Sequence, residues 1–256
     1  MKIHVSASTD IGNTKTTNQD SLLVTTAQTS IGEVAFAVLC DGMGGLAKGE
    51  VASASVVEQF DQWFTLELPL QIQNGLEDGE IRNTWTKMIK LQNEKIQAYG
   101  KQQGIHLGTT ITVMLLTPFR YYIGNVGDTR AYEITSNQIQ ALTEDQTVVE
   151  QEVRQGLLTR EQAKVDIRRS ILLQCIGASK EVYPVFTFGI PKKDTVYMLC
   201  SDGFRHEVNE QEIAQVLSPL AMSSKEAMVR RERELIDLNK QRKEKDNISV
   251  ITIRTY

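Results

Sequence analysis

Apolar and polar positions divide the 256-residue chain into short extended stretches and a few long amphipathic ones. Ile3, Val5 and Ala7 alternate with polar residues, which predicts a strand over residues 2–9 followed by a turn at Asp10-Ile11-Gly12-Asn13. Residues 22–26 read as a second strand, and the unbroken apolar run 34–40 as a third, buried one that stops at Asp41. Ala52, Val56, Phe60, Trp63 and Phe64 recur at helical spacing, and so do Ile81, Trp85, Met88, Ile89, Ile96 and Tyr99. Two long helices follow, joined by a loop over residues 69–80, with both tryptophans assigned to the core. From Leu107 the pattern turns to strands at 111–116, 121–126 and 131–135, with turns at Pro118-Phe119-Arg120 and Gly127-Asp128-Thr129-Arg130, and predicts an antiparallel meander. Residues 143–170 carry too few apolar side chains for a core of their own and read as a surface excursion of short helices. Strands return at 185–190 and 195–200, helices at 211–217 and 225–240, and a last strand at 248–254. Hairpin-joined strands and paired helices, without the regular alternation of a parallel sheet, predict an α+β sandwich of antiparallel sheets covered by helices.

Composition narrows the function more than the fold. At 41% hydrophobic and 23% charged residues the chain suits one large soluble domain. A formal charge of −4, from 28 basic and 32 acidic residues, advertises no nucleic acid or anionic membrane as partner. Cys40, Cys175 and Cys200 sit in apolar runs without metal-ligand spacing and read as buried thiols in a reducing compartment. No apolar run approaches the roughly 20 residues needed to cross a bilayer, and the polar N-terminus is no signal peptide. The expectation is a cytoplasmic protein, or the soluble part of a longer one.

The candidate chemistry is acidic. Asp41 follows a buried strand and precedes Gly42-Met43-Gly44-Gly45, where glycine lets the backbone approach a ligand closely. Asp128 in Gly127-Asp128 and Asp202 in Ser201-Asp202-Gly203 repeat that arrangement, and Asp20 and Asp246 also stand at strand ends. Such acids can converge on one rim, where they repel one another unless divalent cations neutralise them. Oxygen ligands without histidine or cysteine favour magnesium, manganese or calcium over zinc. Two cations bridged by one carboxylate, about 3.5–4 Å apart, hold a water for in-line attack on phosphorus, which makes a phosphate ester the natural substrate.

Six strings in order extend the pattern: Thr9-Asp10-x-Gly12 with Asn18-Gln19-Asp20-Ser21; Asp41-Gly42-Met43-Gly44-Gly45 with Gly49-Glu50-Val51-Ala52-Ser53; Gly108-Thr109-Thr110; Gly127-Asp128-Thr129-Arg130; Ser201-Asp202-Gly203; and Asp246-Asn247-Ile248-Ser249-Val250. Together, from about residue 5 to 254, they resemble the metal-dependent protein phosphatase 2C family in its bacterial form. The resemblance implies an αββα sandwich of two antiparallel sheets flanked by pairs of antiparallel helices. It also implies that residues 1–256 are a single catalytic domain whose flap, about residues 143–178, borders the active site and influences substrate choice. Asp41 would bridge two Mn2+ or Mg2+ ions, Asp202 and Asp246 would complete the first, and the Gly42 carbonyl and Asp20, the latter largely through waters, would serve the second. Asp128 would bind a weaker third. Thr109 and Thr110 would support the sheet below.

Three positions depart from the family pattern. Lys15 stands in place of a phosphate-binding arginine and offers a point charge without the bidentate fork. Met43 replaces the histidine proposed as general acid in eukaryotic members, as is common in bacterial ones. His206 falls where an aspartate usually completes the third metal site. The implied activity is hydrolysis of phosphoserine and phosphothreonine in proteins by an activated water, without a phosphoenzyme, acting opposite a serine/threonine kinase as a monomer. The alternative, kept open by Lys15 and His206, is a catalytically silent relative that binds phosphoproteins as a regulatory module. A metal-dependent nuclease ranks below both, because the acidic balance offers no positive groove.

Overall fold

In this computed structural model the described residues are 1–44 and 48–256; Gly45 of the Asp41 motif lies outside them. The elements in chain order are β1 (Ile3–Asp10), β2 (Asp20–Thr29), β3 (Gly32–Met43), α1 (Gly49–Leu66), α2 (Leu68–Gln73), α3 (Asp78–Gln103), β4 (Gly108–Thr109), β5 (Ile111–Leu116), β6 (Tyr121–Val126), β7 (Arg130–Ile134), β8 (Ile139–Ala141), α4 (Val148–Arg154), α5 (Arg160–Val165), β9 (Val185–Gly189), β10 (Thr195–Cys200), α6 (Asp202–Arg205), α7 (Glu210–Val216), α8 (Lys225–Gln241) and β11 (Ile248–Thr255).

The apolar run of β3 explains the layering. Successive side chains point to opposite faces of a strand, so Val34, Phe36, Val38 and Cys40 pack under helices while Ala35, Ala37 and Leu39 face a second sheet. On the helical side Phe36 meets Trp63 and Trp85 of α1 and α3, and the two indoles meet edge to face at 5.4 Å. On the other side Leu39 joins Tyr197, Leu199, Ile251 and Ile253 of the opposing sheet. That sheet's outer face packs Met198 and Val250 against Leu235 and Ile236 of α8. The result is an αββα sandwich. One sheet runs β1-β11-β10-β7-β8 and the other β2-β3-β5-β6-β9, with antiparallel pairing throughout.

Three sequence expectations change. Strand β3 does not stop at Asp41 but runs on to Met43, because Gly42 and Met43 pair with Thr109 and Gly108 of β4. The loop over residues 69–80 contains the short α2. The meander breaks after β6: β5 and β6 form a hairpin, but β7 leaves that sheet and pairs with β10 and β8 of the other. The crossing is made at Gly127, whose φ of 101° and position against Thr110, 2.5 Å from where a Cβ would lie, admit no side chain. The excursion after residue 143 does form short helices, α4 and α5, started by Thr147 and Thr159, whose hydroxyls accept from Glu150 N and Gln162 N. Among the described residues no helix is long and apolar enough to cross a membrane.

Candidate metal centre

The two sheets bring the five acids to one edge of the sandwich. Asp20 and Asp41 are direct partners where β2 and β3 pair. Asp128 sits in the β6–β7 turn, Asp202 opens α6 just after β10, and Asp246 precedes β11. Each place is fixed locally. The Asp41 amide donates to Thr110 Oγ1 at 3.0 Å, and Thr109 Oγ1 donates to the Asp41 carbonyl at 2.9 Å, so the Gly108-Thr109-Thr110 string supports Asp41 as expected. Beside it, Gly42 packs backbone to backbone: a Cβ there would lie 2.3 Å from the Gly49 carbonyl oxygen and 2.5 Å from that of Gln19. Next to Asp246, the Asn247 amide donates to the carbonyls of Ile11 and Thr17 at 3.0 and 3.2 Å and accepts from Gln19 N at 2.9 Å. Asn247 therefore ties the segment carrying Lys15 to the segment carrying Asp246.

The electrostatics show that the acids share one environment. Asp20, Asp128 and Asp202 are nearly buried, at 8%, 6% and 7% exposure. Burial, reinforced by the charges of Asp20, Asp202, Asp128 and Asp246, pushes the Asp41 carboxyl well above the usual carboxylate range. Burial together with the charges of Asp202 and Asp246 raises Asp20 to about 7. Burial and Asp202 bring Asp128 to about 7 as well, with Arg205 opposing.

Two basic side chains enter this field. Lys15 Nζ reaches Asp246 Oδ1 at 2.7 Å. Partial burial works against its charge, but the bond to Asp246 and the charges of Asp41 and Asp202 hold its pKa above the ordinary lysine value. His206 stands between two carboxylates, its Nε2 3.4 Å from Asp202 and its Nδ1 3.4 Å from Glu244. Burial again disfavours the cation, yet Glu244 and Asp202 raise its pKa. Glu244 in turn accepts from the backbone amides of Lys245 and Asp246 at 2.7 and 2.8 Å, which braces the loop that presents Asp246.

The donors suit hard cations. Both carboxylate oxygens of Asp20 and Oδ1 of Asp202 are buried without a hydrogen-bond partner, an arrangement whose cost calls for a cation. All five acids offer oxygen, the preference of manganese and magnesium. Among the described residues no three acid, histidine or cysteine side chains close into a ready cage. Asp246 is the open member: its side chain is 36% exposed and turned to Lys15. A dication drawn to this edge would have to compete with Lys15 for that carboxylate.

The αββα sandwich with its acid-lined edge has the fold of solved serine/threonine phosphatases, and comparison with known proteins gives it a family. Residues 12–238 match the family model Protein phosphatase 2C, and the chain belongs to the protein phosphatase 2C family. It is 32% identical over 197 residues, 75% of each chain, to the serine/threonine phosphatase stp of Listeria welshimeri. Its fold superposes on the solved S. agalactiae serine/threonine phosphatase with a TM-score of 0.86 at 27% identity, covering 100% of both chains. It also superposes on the catalytic domain of the phosphatase PstP in complex with two manganese ions, with a TM-score of 0.78 at 25% identity, covering 98% and 97%.

All the acids singled out in the sequence therefore lie at one edge, with Gly42, Lys15 and His206 beside them. Sequence reasoning assigned no part to Asn247, Glu244, Asp145 or Arg205. Asn247 was visible as half of a motif. Glu244 and Arg205 were hidden among other charged residues, and only tertiary contacts single them out.

Proposed function

We propose that the chain is a phosphoprotein phosphatase that hydrolyses phosphoserine and phosphothreonine with two manganese or magnesium ions. The observation carrying this reading is the mutually repelling acid set Asp20, Asp41 and Asp202, in which both oxygens of Asp20 and Oδ1 of Asp202 are buried without a hydrogen-bond partner and which bound cations would neutralise. Asp41, Asp202 and Asp246 would hold the first ion, and Asp41, the Gly42 carbonyl and Asp20 the second, with Asp128 serving a weaker third. When bound, such ions neutralise the phosphoryl oxygens and activate a water for in-line attack on phosphorus, so no phosphoenzyme forms.

The remaining roles belong to the protein. Lys15, freed from Asp246, donates to a phosphoryl oxygen as a single charge rather than a fork. No histidine replaces Met43 as a general acid, so water in the site protonates the leaving alkoxide. His206, with both nitrogens already facing carboxylates, orients Asp202 and would reach the third ion only by leaving one of them. The whole chain acts as one catalytic domain, with the flap over residues 143–178 beside the site. Its substrates are products of a serine/threonine kinase, and the three free buried cysteines fit the cytoplasm.

The test is phosphate release from a phosphothreonine peptide with manganese, with chelator, and with Asp41→Asn. Turnover lost in both of the latter supports the reading. Turnover indifferent to chelator removes the metal mechanism, and peptide binding without turnover favours a regulatory module.

A further inference from the structure

Strand β9 ends one of the two sheets. Strand β6 pairs with one side of it, and among the described residues no strand or bridge pairs with the other. A free row of amides and carbonyls recruits another chain, so exposed edges are ordinarily blunted by lysine, proline or a bulge. This one is not: residues 185–190 read Val-Phe-Thr-Phe-Gly-Ile between Pro184 and Pro191, without a charge or a proline. Val185 and Ile190 are 55% and 72% exposed. Nothing in the proposed phosphate chemistry uses this edge.

The two faces of β9 call for different neighbours. Phe186 and Phe188 pack on the core beneath α3. The exposed Arg82 of α3 holds its guanidinium 5.5 and 5.4 Å from their ring centres, and the exposed Lys90 holds Nζ 5.8 Å from the ring of Tyr183. Among the described residues neither cation forms a salt bridge. Val185 and Thr187, on the opposite face, line a cavity of about 290 Å3 with Asn125, Ala141, Leu142 and Glu144. No lysine or arginine lines that cavity. A strand laid along β9 would present alternate side chains to the two sides. Acids suit the side of Arg82 and Lys90, and small apolar side chains suit the cavity. A second copy of the chain fits worse, because antiparallel pairing of β9 with itself about a two-fold axis sets Arg82 and Lys90 of both copies on one face, where like charges repel.

We propose that β9 is a docking edge for an extended segment of the phosphoprotein substrate, acidic at alternate positions and apolar between them, added as an antiparallel strand. The inference rests on the phosphatase reading. Val185 pairs with Asn125 near the Asp128 turn, and Gly189 pairs with Tyr121 at the far end. An antiparallel segment therefore runs toward the acid-lined edge and stands N-terminal to the phosphoresidue. Main-chain bonds to β9 supply the attachment, and the alternation of acids and apolar residues supplies the choice of partner. Docking holds the substrate in ground and transition state alike, so it acts on KM rather than on kcat.

The experiment reads docking and turnover separately. Docking is followed in chelator, on the whole chain and on the double variant Arg82→Glu, Lys90→Glu, by fluorescence anisotropy of a labelled unphosphorylated peptide Glu-Val-Glu-Val-Glu and by amide hydrogen exchange. Turnover is followed with Mn2+ on two phosphothreonine peptides, one with that segment ahead of the phosphothreonine and one with a Gly-Ser segment of equal length. The expected result is that the acidic peptide binds, slows exchange over residues 185–190, and binds about tenfold more weakly to the charge-reversed variant. The phosphopeptide with the acidic segment should show a KM about tenfold lower, with kcat changing less. Binding indifferent to charge reversal, binding without protection of residues 185–190, or equal KM for the two phosphopeptides would overturn the inference. So would a dimeric chain with residues 185–190 already protected, which would give the edge to a second copy. Docking intact with neither phosphopeptide turned over would overturn the phosphatase reading, and the substrate as occupant with it.

Discussion

Asp20 and Asp41 face each other directly across the β2–β3 pair, two acids at a position where like charges destabilise a sheet. Neither oxygen of Asp20 has a hydrogen-bond partner. This pair therefore works against the fold, which is the ground for proposing that cations neutralise it.

Neutralising one partner should relieve the repulsion. Asp41→Asn is expected to raise the melting temperature of the chelated protein by about 2–4 °C, the shift that ~1 kcal/mol gives a chain of this size, and to reduce turnover at least a hundredfold. Thermal unfolding with excess chelator reads the first effect and a phosphopeptide assay the second. A lower melting temperature would mean that the acids are not in conflict.

The raised pKa values predict an unusual pH dependence. Asp20 and Asp128, at about 7 when folded and near 3.8 when unfolded, bind more protons in the native state between those values. Their contribution to stability is thus fully present below the unfolded value and fades as pH rises through about 7. The raised pKa of His206 acts in the same sense. In chelator the protein should melt higher at pH 5.5 than at pH 7.5, conditions above the range where the lowered carboxylates protonate, and Mn2+ should reverse the loss at the higher pH. A melting temperature that climbs with pH in chelator would contradict the shared environment.

Lys15 is expected to act on substrate binding rather than on turnover. Lys15→Ala should raise KM for an aryl phosphate by roughly tenfold, the scale of one charge-assisted hydrogen bond, with kcat changing less. Lys15→Arg should lower KM by restoring the fork. Steady-state kinetics at saturating Mn2+ separates the two parameters, and an unchanged KM in both variants would remove Lys15 from phosphate binding.

Asn247 joins residues 11–19 to the Asp246 segment through three hydrogen bonds. Asn247→Ala removes all three bonds made by a side chain that is itself buried, each contributing about 0.5–1.5 kcal/mol. The expected outcome is a lower melting temperature together with a higher KM, as the Lys15 segment loosens. Loss of stability with KM intact would restrict Asn247 to a structural part.

The sequence carried the layers and the acids further than their contacts. The alternation within residues 34–40 encodes the two faces of β3, and each of the five acids carries the mark of a strand end. Local pattern could not show that β7 abandons the meander, because the choice of partner sheet is made between residues far apart, such as Tyr132 and Met198. Nor could it show Lys15 meeting Asp246, or Arg205 bridging Asp128 and Asp145. Those charges look like any solvated residue until the fold brings them together. His206 shows the same limit: nothing in the local sequence tells that Asp202 and Glu244 stand on either side of its ring.

The most direct measurement is diffraction at the manganese absorption edge from a crystal soaked in Mn2+. The account predicts two strong anomalous peaks flanking the Asp41 carboxylate, one of them within bonding distance of Asp202 and Asp246, with Lys15 turned away from Asp246. Peaks located elsewhere, or Asp41, Asp202 and Asp246 found pointing apart with Lys15 still on Asp246 at saturating Mn2+, would contradict it.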